Sequence, residues 1–146
     1  MKIYIKLFFA LFLLCLLQYG FLTRLLPAGY TPNLLLVYVC LTMLEGRENK
    51  AYYAAFVGGI FAGLLTTTPP GLLGITMLSL ILAGFYLKRF YIKDSFFGFL
   101  VFVLVSEYIY QFAFSHFSVP NIIGVLLTAG IFAVASFVRT RTTHYV

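Results

Sequence analysis

The sequence predicts an all-helical integral membrane protein, a bundle of about six transmembrane helices with both termini in the cytoplasm. Of its 146 residues, 62% are hydrophobic and 10% are charged, whereas a soluble domain is roughly 45–50% apolar and about 25% charged. The mean hydropathy is +1.02, and the few charges lie in short groups between long apolar stretches. Because six spans of about 20 residues use most of the chain, we predict a single transmembrane domain, residues 1–146.

Apolar segments, separated by charged residues or by Gly and Pro, define the predicted helices. Strands are excluded because the segments lack strict alternation and exceed the roughly 10-residue strand of a membrane barrel. The first segment is retained as a span rather than a signal peptide, because no small-residue cleavage pattern follows it. The second, third and fourth segments are close to the lower limit of about 17 residues, which leaves open that one of them is re-entrant. The predicted spans are residues 4–22, 27–44, 51–66, 71–87, 95–115 and 119–138.

The basic residues predict the orientation, since Lys and Arg near short loops accumulate on the cytoplasmic side of a membrane. With the N-terminus inside, nine basic residues fall on the cytoplasmic side and only Arg24 falls on the other. We therefore interpret the net charge of +6 as a signal of membrane orientation and not of nucleic-acid binding. The nine are Lys2, Lys6, Arg47, Lys50, Lys88, Arg89, Lys93, Arg139 and Arg141.

Small residues in the third segment predict close helix packing. Gly59 and Gly63 form a Gly-x-x-x-Gly pair, and a second row of small residues consists of Ala54, Gly58 and Ala62. Such rows let helix backbones approach closely in lipid, either within the bundle or against a partner's helix. The following loop ends with Pro70 and Gly71, and we expect the prolines to end the third helix and Gly71 to allow the chain to reverse.

Polar residues inside the predicted spans are candidate functional residues. Glu107 is the only ionisable residue well inside a span, and Gln111 and Ser115 follow it at helical spacing. Gln18 lies at a similar depth in the first span, so a polar seam is predicted. An intramembrane acid either holds helices together by hydrogen bonds or forms a proton, ion or substrate site; the sequence leaves both open.

Catalytic and metal-binding patterns are missing from the sequence. Its two cysteines and two histidines lack metal-ligand spacing, and no nucleophile–base pair, carboxylate pair or phosphate-binding glycine loop is present. We therefore expect a non-enzymatic protein with no cofactor, whose partners include the membrane lipids.

Three motifs follow one another over residues 31–74. Thr31, Pro32 and Asn33 open the second predicted span, Gly59 and Gly63 begin a Gly-x-x-x-Gly-Leu run, and this run leads into a Pro-Gly-Leu-Leu-Gly turn at residues 70–74. The order resembles that of the rod shape-determining protein MreD family, in which Pro-Asp/Asn-Leu opens the second span and a Gly-x-x-x-Gly-Leu run leads into a Pro-Leu-Gly-like turn. Members often carry an aspartate shortly after the second glycine, at a place where this chain has threonines.

The resemblance implies a subunit of the bacterial cell-elongation complex in the cytoplasmic (inner) membrane. Such a subunit would bind MreC and link the actin-like MreB to the wall-synthesising RodA and its transpeptidase, helping to organise peptidoglycan synthesis and cell shape. An alternative is a substrate-binding subunit of an energy-coupling-factor vitamin transporter, a class whose six-helix fold is similar to that of the MreD family. These subunits often have an Ala-x-x-x-Ala docking pattern on the first helix, but here Ala10 is followed at i+4 by Leu14.

Overall fold

The computed structural model describes residues 2–26, 30–66, 70–89, 96–114 and 122–143, and this part of the chain is a bundle of six helices. The prediction of an all-helical protein is confirmed for these residues. The first helix is continuous: α1 runs into a π-helical turn and ends in the short α2. The bounds are α1 Lys2–Cys15, the π-helical turn Leu16–Leu22, α2 Thr23–Leu25, α3 Leu34–Leu44, α4 Glu48–Leu65, α5 Pro70–Leu87, α6 Phe96–Phe114 and α7 Ile122–Thr143.

The bundle carries apolar side chains on its outer surface as well as inside. Within the described residues, two helices are long and apolar enough to cross a bilayer, Ile3–Leu25 with 23 residues and Ile122–Arg139 with 18. Large apolar side chains on other helices also face outward, since Phe97 is 75% exposed and Ile75 is 67% exposed. Contiguous apolar surface of this kind marks contact with lipid or with another protein.

Helix α3 is shorter than predicted. The second span was expected over residues 27–44, but the helix begins at Leu34, and residues 30–33 have no regular secondary structure; residues 27–29 lie outside the described part. Two local effects explain the late start: Pro32 disfavours a helical conformation at the residue before it, and Asn33 is the N-cap, with φ −87° and ψ 84°. The 11 residues of α3 measure about 16 Å, roughly half the hydrocarbon thickness of a bilayer.

Helix α3 nevertheless occupies the centre of the bundle, and eight of its 11 residues are buried. It ends in a Schellman motif, in which Gly46 has a φ of 71°. Gly46 N donates to the Met43 carbonyl at 3.0 Å, and Arg47 N donates to the Thr42 carbonyl at 3.0 Å. A left-handed residue at this place is most easily a glycine, so Gly46 sets the reversal between α3 and α4.

Helices α4 and α5 pack backbone against backbone. A Cβ atom built on Gly59 would lie 2.8 Å from Gly74 N and 3.1 Å from the Leu73 carbonyl carbon. Gly63 and the second row of small residues on α4 are also buried. The structure thus places both small-residue rows inside the bundle.

The α4–α5 connection differs from the prediction. Helix α4 ends at Leu65, before either proline, and Pro70 and Gly71 are the first two residues of α5. The fixed φ of proline suits the first helical position, where its missing N–H costs nothing. The expectation that Gly71 reverses the chain is therefore wrong, and its Cα is open to the surface.

The C-terminal ends of α3 and α5 meet α7 at one end of the bundle. Arg47 Nε lies 3.3 Å from Glu45 Oε2, and Arg139 Nε pairs with Glu45 Oε1. Lys88 Nζ donates a hydrogen bond to the Met43 carbonyl at 3.0 Å. Three residues of the predicted basic set thus share one end, which we call the basic end.

Candidate functional site

Buried polar side chains from four parts of the chain meet at the start of α3. Gln18 is 3% exposed, Asn33 2%, Glu107 1% and Thr128 0%, and Gln111 lies one turn after Glu107 on α6. We call these five residues the polar cluster. Polar groups at such depth are costly unless they are hydrogen-bonded, so their partners define what the cluster can do.

The polar cluster lies well inside the bundle, away from the basic end. Gln18 and Glu107 each lie seven residues before the last residue of their continuous helix, and Thr128 lies six residues after the first residue of α7. At 1.5 Å per residue, these positions are about 9–10 Å from the helix ends. Asn33 reaches the same depth because α3 begins late.

Side chains of the cluster satisfy the backbone N–H groups at the start of α3. Asn33 Oδ1 accepts from Leu36 N at 3.0 Å, and Gln18 Oε1 accepts from Leu35 N at 3.1 Å. Thr128 Oγ1 accepts from Asn33 N at 2.9 Å. The first N–H groups of a helix have no partners within it, and at this depth side chains replace the water that would serve a surface helix.

Gln18 reaches α3 from the π-helical turn. It is the buried residue of Leu16–Leu22, and its Nε2 lies 3.5 Å from Asn33 Oδ1. Single π-helical turns inside α-helices occur frequently at functional sites. Here the turn carries the side chain that caps a second helix.

Glu107 lies among hydrogen-bond donors. Gln111 Nε2 donates to Glu107 Oε1 at 2.9 Å, and the Asn33 and Thr128 side chains also interact with the Glu107 carboxyl. The positive end of the α3 dipole lies beside it, which favours negative charge. Within the described residues, Glu107 Oε2 and Asn33 Nδ2 have no hydrogen-bond partner.

A pair of tyrosines extends the polar contacts from the cluster. The hydroxyl groups of Tyr19 and Tyr110 are 2.8 Å apart, which joins the π-helical turn to α6. Tyr110 lies three residues after Glu107, so it occupies the next turn of the same helix.

The predicted seam is only partly the observed one. Gln18, Glu107 and Gln111 do lie together, but the contact of Gln18 is with Asn33, which the sequence placed in the motif that opens the second span and not in the seam. Pro32 is buried beside Asn33; Ser115 lies outside the described residues.

Sequence reasoning missed Thr128 and the tyrosine pair. An asparagine directly before an apolar helix is a recognisable N-cap signal, so the role of Asn33 could have been found. Thr128 carries no comparable signal, because it donates to the Gly124 carbonyl at 3.0 Å as threonines in helices commonly do.

Comparison of the chain with protein-family models, with curated proteins and with solved structures finds no match.

Proposed function

We propose that this protein is a non-enzymatic, multi-pass subunit of the bacterial cell-elongation complex in the cytoplasmic membrane. It binds an MreC-like membrane protein, and through it the RodA–transpeptidase pair and actin-like MreB. The observation that carries the proposal is the order of motifs over residues 31–74, which resembles the MreD family. Two of these motifs lie at packing positions: Asn33 caps α3, and Gly59 contacts the α5 backbone at Gly74.

The proposed topology has six spans with both termini in the cytoplasm. The apolar outer surface and the shared basic end support it, because Lys and Arg accumulate on the cytoplasmic side. Helix α3 completes a crossing together with the non-helical residues 30–33, since the two stretches can reach up to about 30 Å. Non-helical backbone at membrane depth is tolerated where it is buried in protein, and Pro32 and Asn33 are buried.

Purification with bound partners tests the proposal. The tagged chain, expressed from its own locus, is extracted in mild detergent and the bound proteins are identified by mass spectrometry. We expect an MreC-like membrane protein, and we expect depletion of the chain to make rod-shaped cells round. Gly59→Leu should reduce recovery of the partner by separating α4 from α5, whereas Ile60→Leu serves as the matched control because it conserves volume.

The same preparation tests the transporter alternative. A substrate-binding subunit would bring with it the coupling subunit of the transporter, together with a vitamin. Recovery of those proteins without an MreC-like partner, and unchanged cell shape after depletion, would overturn the elongation-complex proposal.

A further inference from the structure

An apolar groove of about 370 Å³ runs along α3 beside the first helix of the bundle. Leu34, Tyr38 and Leu41 of α3 line one side of it, and Leu13 and Leu17 line the other. From Leu34 to Leu41 the groove measures about 10 Å. Because α3 measures about half the thickness of the hydrocarbon layer, the groove lies in one half of the proposed membrane, the half next to the basic end.

One end of the groove is charged. Tyr38, Leu41 and Glu45 follow one another at helical spacing on one face of α3, so the floor of the groove continues to Glu45. Glu45 pairs with both Arg47 and Arg139, and the charges of all three act on the Tyr38 hydroxyl. The two arginine side chains are 54% and 42% exposed. Since two arginines share one carboxylate, this end of the groove carries an exposed net positive charge.

The length and charge of the groove fit a lipid better than a helix of another protein. A partner helix that crosses the bilayer spans about 30 Å of hydrocarbon, three times the length of the groove. An acyl chain, by contrast, lies within one leaflet, and its phosphate group sits at the membrane surface. Guanidinium groups pair well with phosphate, and basic pockets between transmembrane helices on the cytoplasmic side bind anionic headgroups.

We propose that an anionic phospholipid of the cytoplasmic leaflet binds in this groove, with one acyl chain between α3 and the first helix and its phosphate at Arg47 and Arg139. The Tyr38 hydroxyl, which lies among the same charges, is available as a further donor to the phosphate. The inference rests on the proposed topology, which places the basic end in the cytoplasm. It does not depend on the identity of any partner protein.

Quenching of tryptophan fluorescence by brominated lipids tests the site, because the chain has no tryptophan of its own. Leu13→Trp places the fluorophore in the groove, at a position that is 64% exposed. The full chain is reconstituted in vesicles of equal parts phosphatidylglycerol and phosphatidylcholine, with bromine on the acyl chains of one lipid or the other. Val105→Trp is the matched control: Val105 is 51% exposed on α6, and both positions lie about 14–17 Å from the first residue of their helices.

Brominated phosphatidylglycerol should quench Leu13→Trp more strongly than brominated phosphatidylcholine does. At the scale of one basic charge near a membrane surface, the relative affinity should favour phosphatidylglycerol about fivefold. The two lipids should quench Val105→Trp alike. Equal quenching of Leu13→Trp by the two lipids would overturn the proposal, and so would the same preference at both positions, since that would reflect the charge of the whole protein surface. If neither lipid quenches Leu13→Trp, protein covers the groove and the proposal is wrong.

Charge variants in the Leu13→Trp background test the two arginines. Arg139→Gln cancels the net charge at the end of the groove and should bring the relative affinity close to one, whereas Glu45→Gln raises that charge and should increase the preference for phosphatidylglycerol. Lys50→Gln is the control, because it removes a positive charge from the first turn of α4 and leaves the other two residues in place. If Lys50→Gln lowers the preference as much as Arg139→Gln does, or if Glu45→Gln leaves it unchanged, the arginines do not form a lipid site.

The vesicles contain no partner protein, so the outcome is separate from the elongation-complex proposal. Loss of the lipid preference would leave the recovery of an MreC-like protein untested, and failure to recover that protein would leave the lipid site standing.

Discussion

The contact between α4 and α5 leaves no room for a side chain at Gly59. In Gly59→Ala, the new methyl group would lie 2.8 Å from Gly74 N and 3.1 Å from the Leu73 carbonyl carbon, and closer still to Gly74 Cα. All three atoms are backbone, so no rotamer change relieves the overlap. Since favourable separation begins near 3.5 Å, α5 must move away by about 1 Å.

The cost of that movement follows from what is known of overpacked cores. Inserting a methyl group into a tightly packed interior costs about 1–3 kcal/mol, while Gly→Ala in a helix gains up to about 1 kcal/mol from helix propensity. Gly130→Ala provides the matched control, because Gly130 is helical and a Cβ there meets nothing within 4 Å. Propensity cancels between the two variants, so Gly59→Ala should be less stable than Gly130→Ala by about 1–3 kcal/mol.

Unfolding in mixed detergent micelles with increasing SDS, followed by circular dichroism, measures this difference. Gly84→Ala adds a useful comparison, since its Cβ would meet the ends of the Phe102 and Met43 side chains at 2.5 and 2.6 Å, and flexible side chains can turn aside. We expect a smaller loss for Gly84→Ala than for Gly59→Ala. If Gly59→Ala and Gly130→Ala unfold at the same SDS fraction, the backbone contact between α4 and α5 does not determine stability.

Three further outcomes are expected. Asn33→Ala should lower the unfolding free energy by about 1 kcal/mol through loss of the α3 cap, whereas Asn33→Ser should retain most of it; equal losses in SDS unfolding would argue against capping. Glu107→Leu should cost about 0.6–2 kcal/mol by removing the hydrogen bond between Gln111 Nε2 and the Glu107 carboxyl, and should impair cell-shape complementation more than Glu107→Gln; loss of function in a well-folded Glu107→Gln would instead favour ion coupling. Reporter fusions after Arg141 should be cytoplasmic, and fusions near Thr68 and His116 external; an external C-terminus would remove the six-span topology.

The bounds of a helix were predicted to within one residue where its ends coincide with changes in composition. Helix α5 was expected over residues 71–87 and spans Pro70–Leu87, and α6 was expected over 95–115 and spans Phe96–Phe114. Hydropathy failed for α3, because an apolar run shows which residues avoid water and not where the backbone becomes helical. The local signal at Pro32 and Asn33 marked the true start of that helix.

The polar cluster could be predicted only where depth alone was informative. Counting residues from the ends of the predicted spans placed Gln18 and Glu107 at a similar depth, so the sequence could predict that they lie close together. The contacts of Asn33 with Thr128 depend on which helices are neighbours, and nothing in a single sequence specifies that arrangement. The positive φ at Gly46 was also not predicted, although a glycine directly after an apolar helix fits the C-terminal preference for this residue.

The late start of α3 has a consequence for how the chain is made. Asn33 N bonds to a hydroxyl 95 residues further along the chain, and at about 5–20 residues per second the ribosome needs roughly 5–19 s to supply it. During that interval Asn33 N lacks the acceptor that α7 supplies, whereas Gln18 is already available to Leu35 N. Under the proposed topology the start of α3 is therefore completed only after α7 is synthesised, and truncations that remove α7 should leave α3 accessible to water-soluble labelling reagents.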